Sequence, residues 1–414
     1  MTSSRRSFLR RAAVLPLGAL PVTALAAHDS DAVAEALAPR APSWANEVGQ
    51  TKVAKVETYA VRRLNVVKVT ADDGTVGWGE AGHSGGRLVL DVVRREITEL
   101  VEGTDVFDAE PTWAKVFYEI DELGPGGLAS QALAGVDCAL WDLRGKLLGV
   151  PVSALLGGTF RTSFPVYGSF SRSLGGDRRM TPEQAADKAV ELVEEGFRAL
   201  KVRMAIREEG ADPIPDPSWP VLDAVRAAIG DDIALYVDAN NGYTPGRAIL
   251  AARRLREDYG AEVFEEPVAA YHYPSLGRVS DATDLLIACG EHEYTLWQFR
   301  DLILQGRVDL LNPDVSKLGG LTEAKKVAAL AEAFDLPISV HNARPTLLTA
   351  AHAHFVASCR TAYRTQEHPG NERLQSLWQY FENRLTHDNG VFHVPTGPGL
   401  GLVVNEDALK RDAD

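Results

Sequence analysis

The chain has 414 residues, 45% of them hydrophobic, and a formal net charge of −14, long enough for two domains or one large one around a sizeable core. The acidic balance argues against nucleic acid or an anionic membrane surface as a partner. It leaves the substrate open, because a metal ion or a few Lys and Arg can make a site locally positive.

Residues Ser4 to Arg10 read SRRSFLR, followed by the apolar stretch AAVLPLGALPVTALAA with Ala24-Leu25-Ala26 near its end. A basic start, a short apolar segment and an A-x-A site predict a cleavable export signal over residues 1–26, too short for a stable membrane span. Arg5-Arg6 with Phe8-Leu9 resembles the twin-arginine type, which carries folded proteins, so export to the periplasm or beyond the cell is expected. Residues 27–50 read as a linker. Cys138, Cys289 and Cys359 lack C-x-x-C spacing, and an odd count allows at most one bridge. Their apolar surroundings predict small core residues.

From Thr51, KVETYAVRRLNVVKVTADDGTVGWGEAG alternates apolar and polar positions and turns at Asp73-Gly74, predicting an antiparallel meander. Helical periodicity follows through VLDVVRREITELV and SQALAGVDCALWDLRGKLLG. Residues 51–160 are therefore expected to form an α+β module. Trp78, Glu80 and His83 are its candidates for substrate contact, although residues of these types in such a place are more often structural than functional.

Residues 161–384 carry short apolar runs that each end in a polar or charged residue: RALKVRM, IALYVDANN, EVFEEP, LIACGEHE, VDLLNPD, PISVHNA and AYRTQEH. Their terminal residues lie about 23 to 35 positions apart, the length of one strand, one helix and two loops. This predicts a (β/α)8 barrel with its chemistry at the carboxyl ends of the strands. The barrel is expected to open near Phe164 and close near His368, with residues 385–414 as a closing segment.

Asp238, Glu265 and Glu291 end three consecutive runs. One such acid is unremarkable, since Asp and Glu also cap helices. Three on adjacent strand ends converge on one rim, and their repulsion needs a cation to offset it. Oxygen ligands favour a hard ion, so Mg2+ is expected, with Mn2+ as a substitute. His341 and Asp314 end neighbouring runs, where the carboxylate can accept one ring N–H and raise the basicity of the other nitrogen.

Taken together, Lys201-Val202-Arg203, Asp238-Ala239-Asn240, Glu265-Glu266-Pro267, Gly290-Glu291, Pro313-Asp314 with Lys317-Leu318-Gly319-Gly320, His341 and Glu367 resemble the motif series of the enolase superfamily, in its mandelate racemase subgroup. The resemblance reaches back to DDGTVGWGEAG and AGVDCALWDLRGKLLGVPVSALLGG, and so covers most of the chain from about residue 51. It implies that the α+β module caps the barrel mouth and that the C-terminal segment folds back onto it. It implies metal ligation by Asp238, Glu265 and Glu291, a His341–Asp314 dyad, and a protonated Glu367 donating to the substrate carboxylate. Asn240 joins Trp78 and His83 as a candidate substrate contact. The link Arg62-Arg63-Leu64-Asn65 is short where relatives carry a specificity loop. The Asp at 314 disfavours the muconate-lactonizing branch, whose base on this strand is a Lys.

The departure is Arg203, where many relatives have a second Lys; a guanidinium stays protonated and is a poor base. Two-base racemization is weakened accordingly. Lys201 and Arg203 share one face of a strand and are expected to neutralise the substrate or assist its leaving group, with Lys201 open as a base. With His341 as base, the economical reaction is Mg2+-dependent dehydration of an acid sugar, and GEHEYT from Gly290 resembles the sequence of sugar-acid dehydratases. Epimerization or racemization, and lactone cycloisomerization, are the alternatives; an exported, non-catalytic binding protein is more remote. The expected partner is a small carboxylate substrate, and the expected assembly a homo-oligomer.

Overall fold

The computed structural model describes residues 51–82, 86–175, 178–204, 206–369 and 372–413. The expected signal, the linker and His83 lie outside the described residues. From Thr51 onward the chain forms one compact unit. No helix among the described residues is long and apolar enough to cross a membrane.

Strands β1 (Val53–Val61), β2 (Leu64–Ala71) and β3 (Val76–Glu80) pair antiparallel in that order. The turn between β2 and β3 is the expected one: the Asp73 carboxylate accepts from Thr75 N at 2.8 Å, and Gly74 takes φ 87°, which costs a glycine little. The helix Leu128–Leu148 lies on this sheet. It approaches closely because Gly77 and Gly79 carry no Cβ; one there would overlap the carbonyls of Ala139 and Gly135. Val67, Val69, Leu90, Ile97, Leu133 and Leu140 are among the residues of the resulting core.

Strand β4 (Ser163–Ser171) opens the barrel, and a short ribbon of β5 (Ser173–Gly175) and β6 (Arg178–Arg179) follows it. Next come β7 (Ala199–Arg203), β8 (Ala234–Asp238), β9 (Val263–Glu265), β10 (Leu286–Cys289) and β11 (Leu310–Leu311), paired parallel in sequence with β7 on β4. Residues 338–340 extend the sheet through the Leu311–Ile338 bridge and bond onward to Thr361, Thr365 and Gln366. Strand β12 (Gln366–His368) then pairs parallel with β4. Helices such as Pro182–Glu194, Ser218–Ile229, Pro245–Tyr259 and Leu321–Ala333 fill the crossovers. The fold is a (β/α)8 barrel with an N-terminal α+β cap.

Alternation along the strands sorts the side chains into two layers. Leu200, Val202, Leu235, Val237, Phe264 and Ile287 belong to the large core beneath the outer helices. Tyr167, Ala199, Tyr236, Val263, Ala288 and Leu310 meet as a separate cluster inside the barrel. Two residues further along the inward rows stand Lys201, Asp238 and Glu265. The lumen thus changes from an apolar floor to a charged rim at the carboxyl ends of the strands.

Past the barrel, β13 (His387–Asp388) pairs with β14 (Val391–His393), which lies antiparallel against β4. The chain then returns to the cap: Gly399 exchanges backbone hydrogen bonds with Val150 and Val152, and Glu406 meets Lys68 at 2.6 Å. All three cysteines are free and buried.

Candidate active site

Lys201, 2% exposed, projects from β7 with Nζ 2.7 Å from Glu265 Oε1 and 3.0 Å from Glu367 Oε1. Burial by itself disfavours an ammonium, but the two carboxylates outweigh it and hold the pKa well above the ordinary lysine value. In this arrangement Lys201 is paired with two carboxylates. Arg203, part-exposed, stands with Nε 3.9 Å from Asp238 Oδ2.

Asp238 accepts from the backbone N of Asn240 at 2.7 Å and from its side-chain amide at 2.6 Å. Asn240, Asn241 and Glu266 take φ of 50°, 62° and 43°. Such left-handed residues store strain, and their clustering at strand ends marks a site held by its surroundings. The positive φ at Glu266 also breaks the strand alternation, so this second acid of the EEP run turns toward the rim; sequence reasoning passed over it. Its Oε2 accepts from Asn241 Nδ2 at 2.7 Å, and its Oε1 meets His292 Nδ1.

Burial raises the carboxyl pKa values of Asp238, Glu265 and Glu266; Lys201 opposes this at the first two, and neighbouring carboxylates add to it at all three. A set of crowded, buried, mostly oxygen donors fits a divalent cation. The donor atoms that converge most tightly are those of Glu266, Glu291 and His292, all within 4.8 Å of one another. Of the expected trio, Glu265 pairs with Lys201 and Asp238 with Asn240. Glu291 remains common to both sets. The signal for His292 was the GEHE run, where strand counting alone gives no reason to prefer it.

His341 and Asp314 come together as expected. His341 Nδ1 lies 2.8 Å from Asp314 Oδ2, and Nε2 lies 3.1 Å from Glu291 Oε2. Asp314 Oδ1 accepts from Ser316 N at 2.8 Å and Ser316 Oγ at 2.6 Å. His352, unforeseen in the sequence, stands with Nε2 3.3 Å from the same oxygen. Its Nε2 accepts the Val315 N–H at 3.0 Å and its Nδ1 faces Leu348 O at 2.8 Å, which places the ring proton on Nδ1. Burial would raise the Asp314 pKa, but the hydrogen bond and charge of His341 hold it well below the carboxylate range. Burial pushes the His341 imidazole down, yet Glu291 and Asp314 carry it up to about 9 against the opposing charge of Lys317. Lys317 brings its Nζ within 3.4 Å of Glu291 Oε1.

Burial raises the Glu367 pKa, but Lys201 and His341 prevail and hold it below the usual glutamate range, and its Oε2 accepts the Asn342 N–H at 2.9 Å. One expectation needs correction. Trp78 does not join the rim acids. It is 6% exposed within the large core, its ring 6.1 Å from that of Tyr59 and beneath Lys68 Nζ at 5.5 Å. Gly77 and Gly79 turn the other face of β3 to the Leu128–Leu148 helix, leaving Trp78 to fill the opposite side.

The mandelate racemase / muconate lactonizing enzyme N-terminal domain model matches residues 44–157, and the enolase C-terminal domain-like model matches residues 184–408. The chain belongs to the mandelate racemase / muconate lactonizing enzyme family of the enolase superfamily. It is an enzyme of that superfamily, whose members generally use Mg2+. This family member is 33% identical over 369 residues to D-galactarolactone cycloisomerase of Agrobacterium fabrum, covering 84% of this chain and 91% of that one. It is 30% identical over 367 residues to D-galactonate dehydratase of Pectobacterium atrosepticum, covering 86% and 93%. Among solved structures, the mandelate racemase/muconate lactonizing protein of Paracoccus denitrificans PD1222 complexed with magnesium superposes with a TM-score of 0.82 at 36% identity, covering 88% of this chain and 98% of that one.

Proposed function

We propose that this enzyme removes the proton next to the carboxylate of an acid sugar and expels the β-substituent, acting as a dehydratase that yields a 2-keto-3-deoxy acid. The observation that carries this reading is the separation of base from cations. His341 has Asp314 behind it, whereas Lys201, reached by going round the barrel from residues 338–340 through β12 and β4, is an ammonium and Arg203 a guanidinium. One face can accept a proton; the other can neutralise charge or donate one. That division suits β-elimination and disfavours racemization, which needs a base on each face.

Mg2+, with Mn2+ as a substitute, held by Asp238, Glu265 and Glu291 with Glu266 and His292 adjoining, would supply the positive charge that stabilises a dianionic enediolate. His341 Nε2, neutral once Glu291 is committed to the cation rather than to the imidazole, would take the α-proton, and Asp314 keeps the other ring nitrogen protonated and balances the imidazolium charge. The β-hydroxyl leaves as water with a proton from Lys201 Nζ or from the imidazolium. Tautomerization of the resulting enol gives the keto acid. Glu367, ionised and paired with Lys201, orients that ammonium.

Lactone cycloisomerization is the second reading, favoured by the name of the Agrobacterium relative. It shares the proton abstraction but expels a ring carboxylate, which needs no proton. Incubation with Mg2+ in D2O against D-galactonate and D-galactarolactone, read by mass spectrometry, separates the two. Loss of water, abolished by EDTA and by His341→Asn, is the expected result. Lactone isomerization without loss of water would move the assignment to the second reading, and α-deuterium gain with no elimination would refute both.

A further inference from the structure

We propose that Glu80, the last residue of β3, is a positioning residue that sets the His341–Asp314 dyad from the cap; this rests on the reading of that dyad as the base. Glu80 is fully buried, and its Oε2 accepts a hydrogen bond from Thr346 Oγ1 at 2.6 Å across the cap–barrel contact. Burial, with the charge of Asp314 adding to it, raises the Glu80 pKa above the ordinary glutamate value, against the Arg344 guanidinium, the Thr346 hydroxyl and the Leu348 N–H. Thr346 immediately precedes the helix Leu347–Ala357 and does not cap it with its own side chain. The cap thus places a carboxylate where the first turn of that helix presents donors and positive dipole.

This helix holds both members of the dyad. Thr349 Oγ1 bonds with the Asn342 side chain and with the Arg344 carbonyl, bracing the loop that begins at His341. His352 takes the Val315 N–H and stands against Asp314 Oδ1. Thr349 and His352 lie three residues apart, on one face of the helix, so a displacement at its start moves both supports together. Glu80 is itself fixed, since the adjoining Gly79 is pressed against Gly135 and the same cap helix sends Ser130 Oγ to the Lys317 carbonyl. A buried carboxylate is costly to keep; here it supplies a strong, directional acceptor on a rigid strand.

The test is 15N-histidine NMR on the mature protein with magnesium chloride present. The His341→Asn spectrum identifies the His341 ring signals by their loss. Glu80→Ala should displace those signals, and Glu80→Gln, which keeps an oxygen acceptor for Thr346, should leave them near their wild-type positions. Thr346→Val removes the donor with little change of shape and should reproduce Glu80→Ala; it also serves should Glu80→Ala fail to fold. The inference is overturned if His341 keeps its wild-type signals in Thr346→Val, or if His387 and His393 in the β13–β14 ribbon move as much as His341. A His341→Asn protein that still turns substrate over would sink the functional reading alone, because the ring signals report the dyad whatever reaction it serves.

Discussion

Replacing Lys201 with Met removes an ammonium from between Glu265 and Glu367 while keeping an unbranched apolar stem against the Tyr167 ring. The three side chains are 2%, 2% and 6% exposed, and Nζ lies 2.7 and 3.0 Å from the two carboxylates. Breaking a buried pair from one side strands the remaining charge, at a cost of about 3–5 kcal/mol. No large cavity adds to this, since Met is close to Lys in length and volume. In a unit of this size that is a fall of roughly 4–7 °C in Tm. The assay is urea and thermal unfolding by circular dichroism in EDTA, so that metal binding does not contribute. Glu367→Gln in the Lys201→Met background removes one stranded charge and should return about 1–3 kcal/mol. Lys201→Met within about 1 kcal/mol of wild type, or a double variant no more stable than the single, would show that these ions are not coupled as described.

The placement of Trp78 predicts that Trp78→Ala costs about 3–5 kcal/mol of stability and leaves KM unchanged; a raised KM at preserved stability would return this residue to the substrate pocket. Gly79→Ala should cost about 2 kcal/mol or more, because the added Cβ meets a backbone carbonyl rather than a flexible side chain, and an unchanged urea midpoint would contradict the close packing of β3 on the cap helix. Burial pushes the His354 imidazole from 6.5 down to about 4. A depressed folded-state value means stability that is present above pH 6.5 and lost as the pH falls toward 4, by about 3 kcal/mol at most. His354→Asn removes that titration, so its urea midpoint should fall less than that of wild type between pH 7 and about 4.5; equal slopes would falsify this assignment.

The strand order of the barrel is legible in the sequence because parallel strands leave a local trace: a buried apolar run, a polar residue at its end, and a repeat length set by one helix and two loops. Asp238, Glu265, Asp314, His341 and Glu367 were found by that trace. Glu266 was not, because a left-handed φ at one residue reverses which of two adjacent acids faces the rim, and a strand count does not register it. His352 sits inside a helix that is buried along its whole length, where no periodicity separates it from its neighbours.

By itself, then, the sequence determined the order of the elements, the capping module and the kinds of chemical group at each strand end, since these depend on patterns a few residues long. The tertiary structure alone decided the pairings and charge states: Lys201 with Glu265 and Glu367, Glu291 beside His341, and Glu80 against Thr346. Coulombic and hydrogen-bond energies depend on separation in space and on burial, and residues far apart in the chain acquire both only when the barrel closes and the cap settles on its mouth.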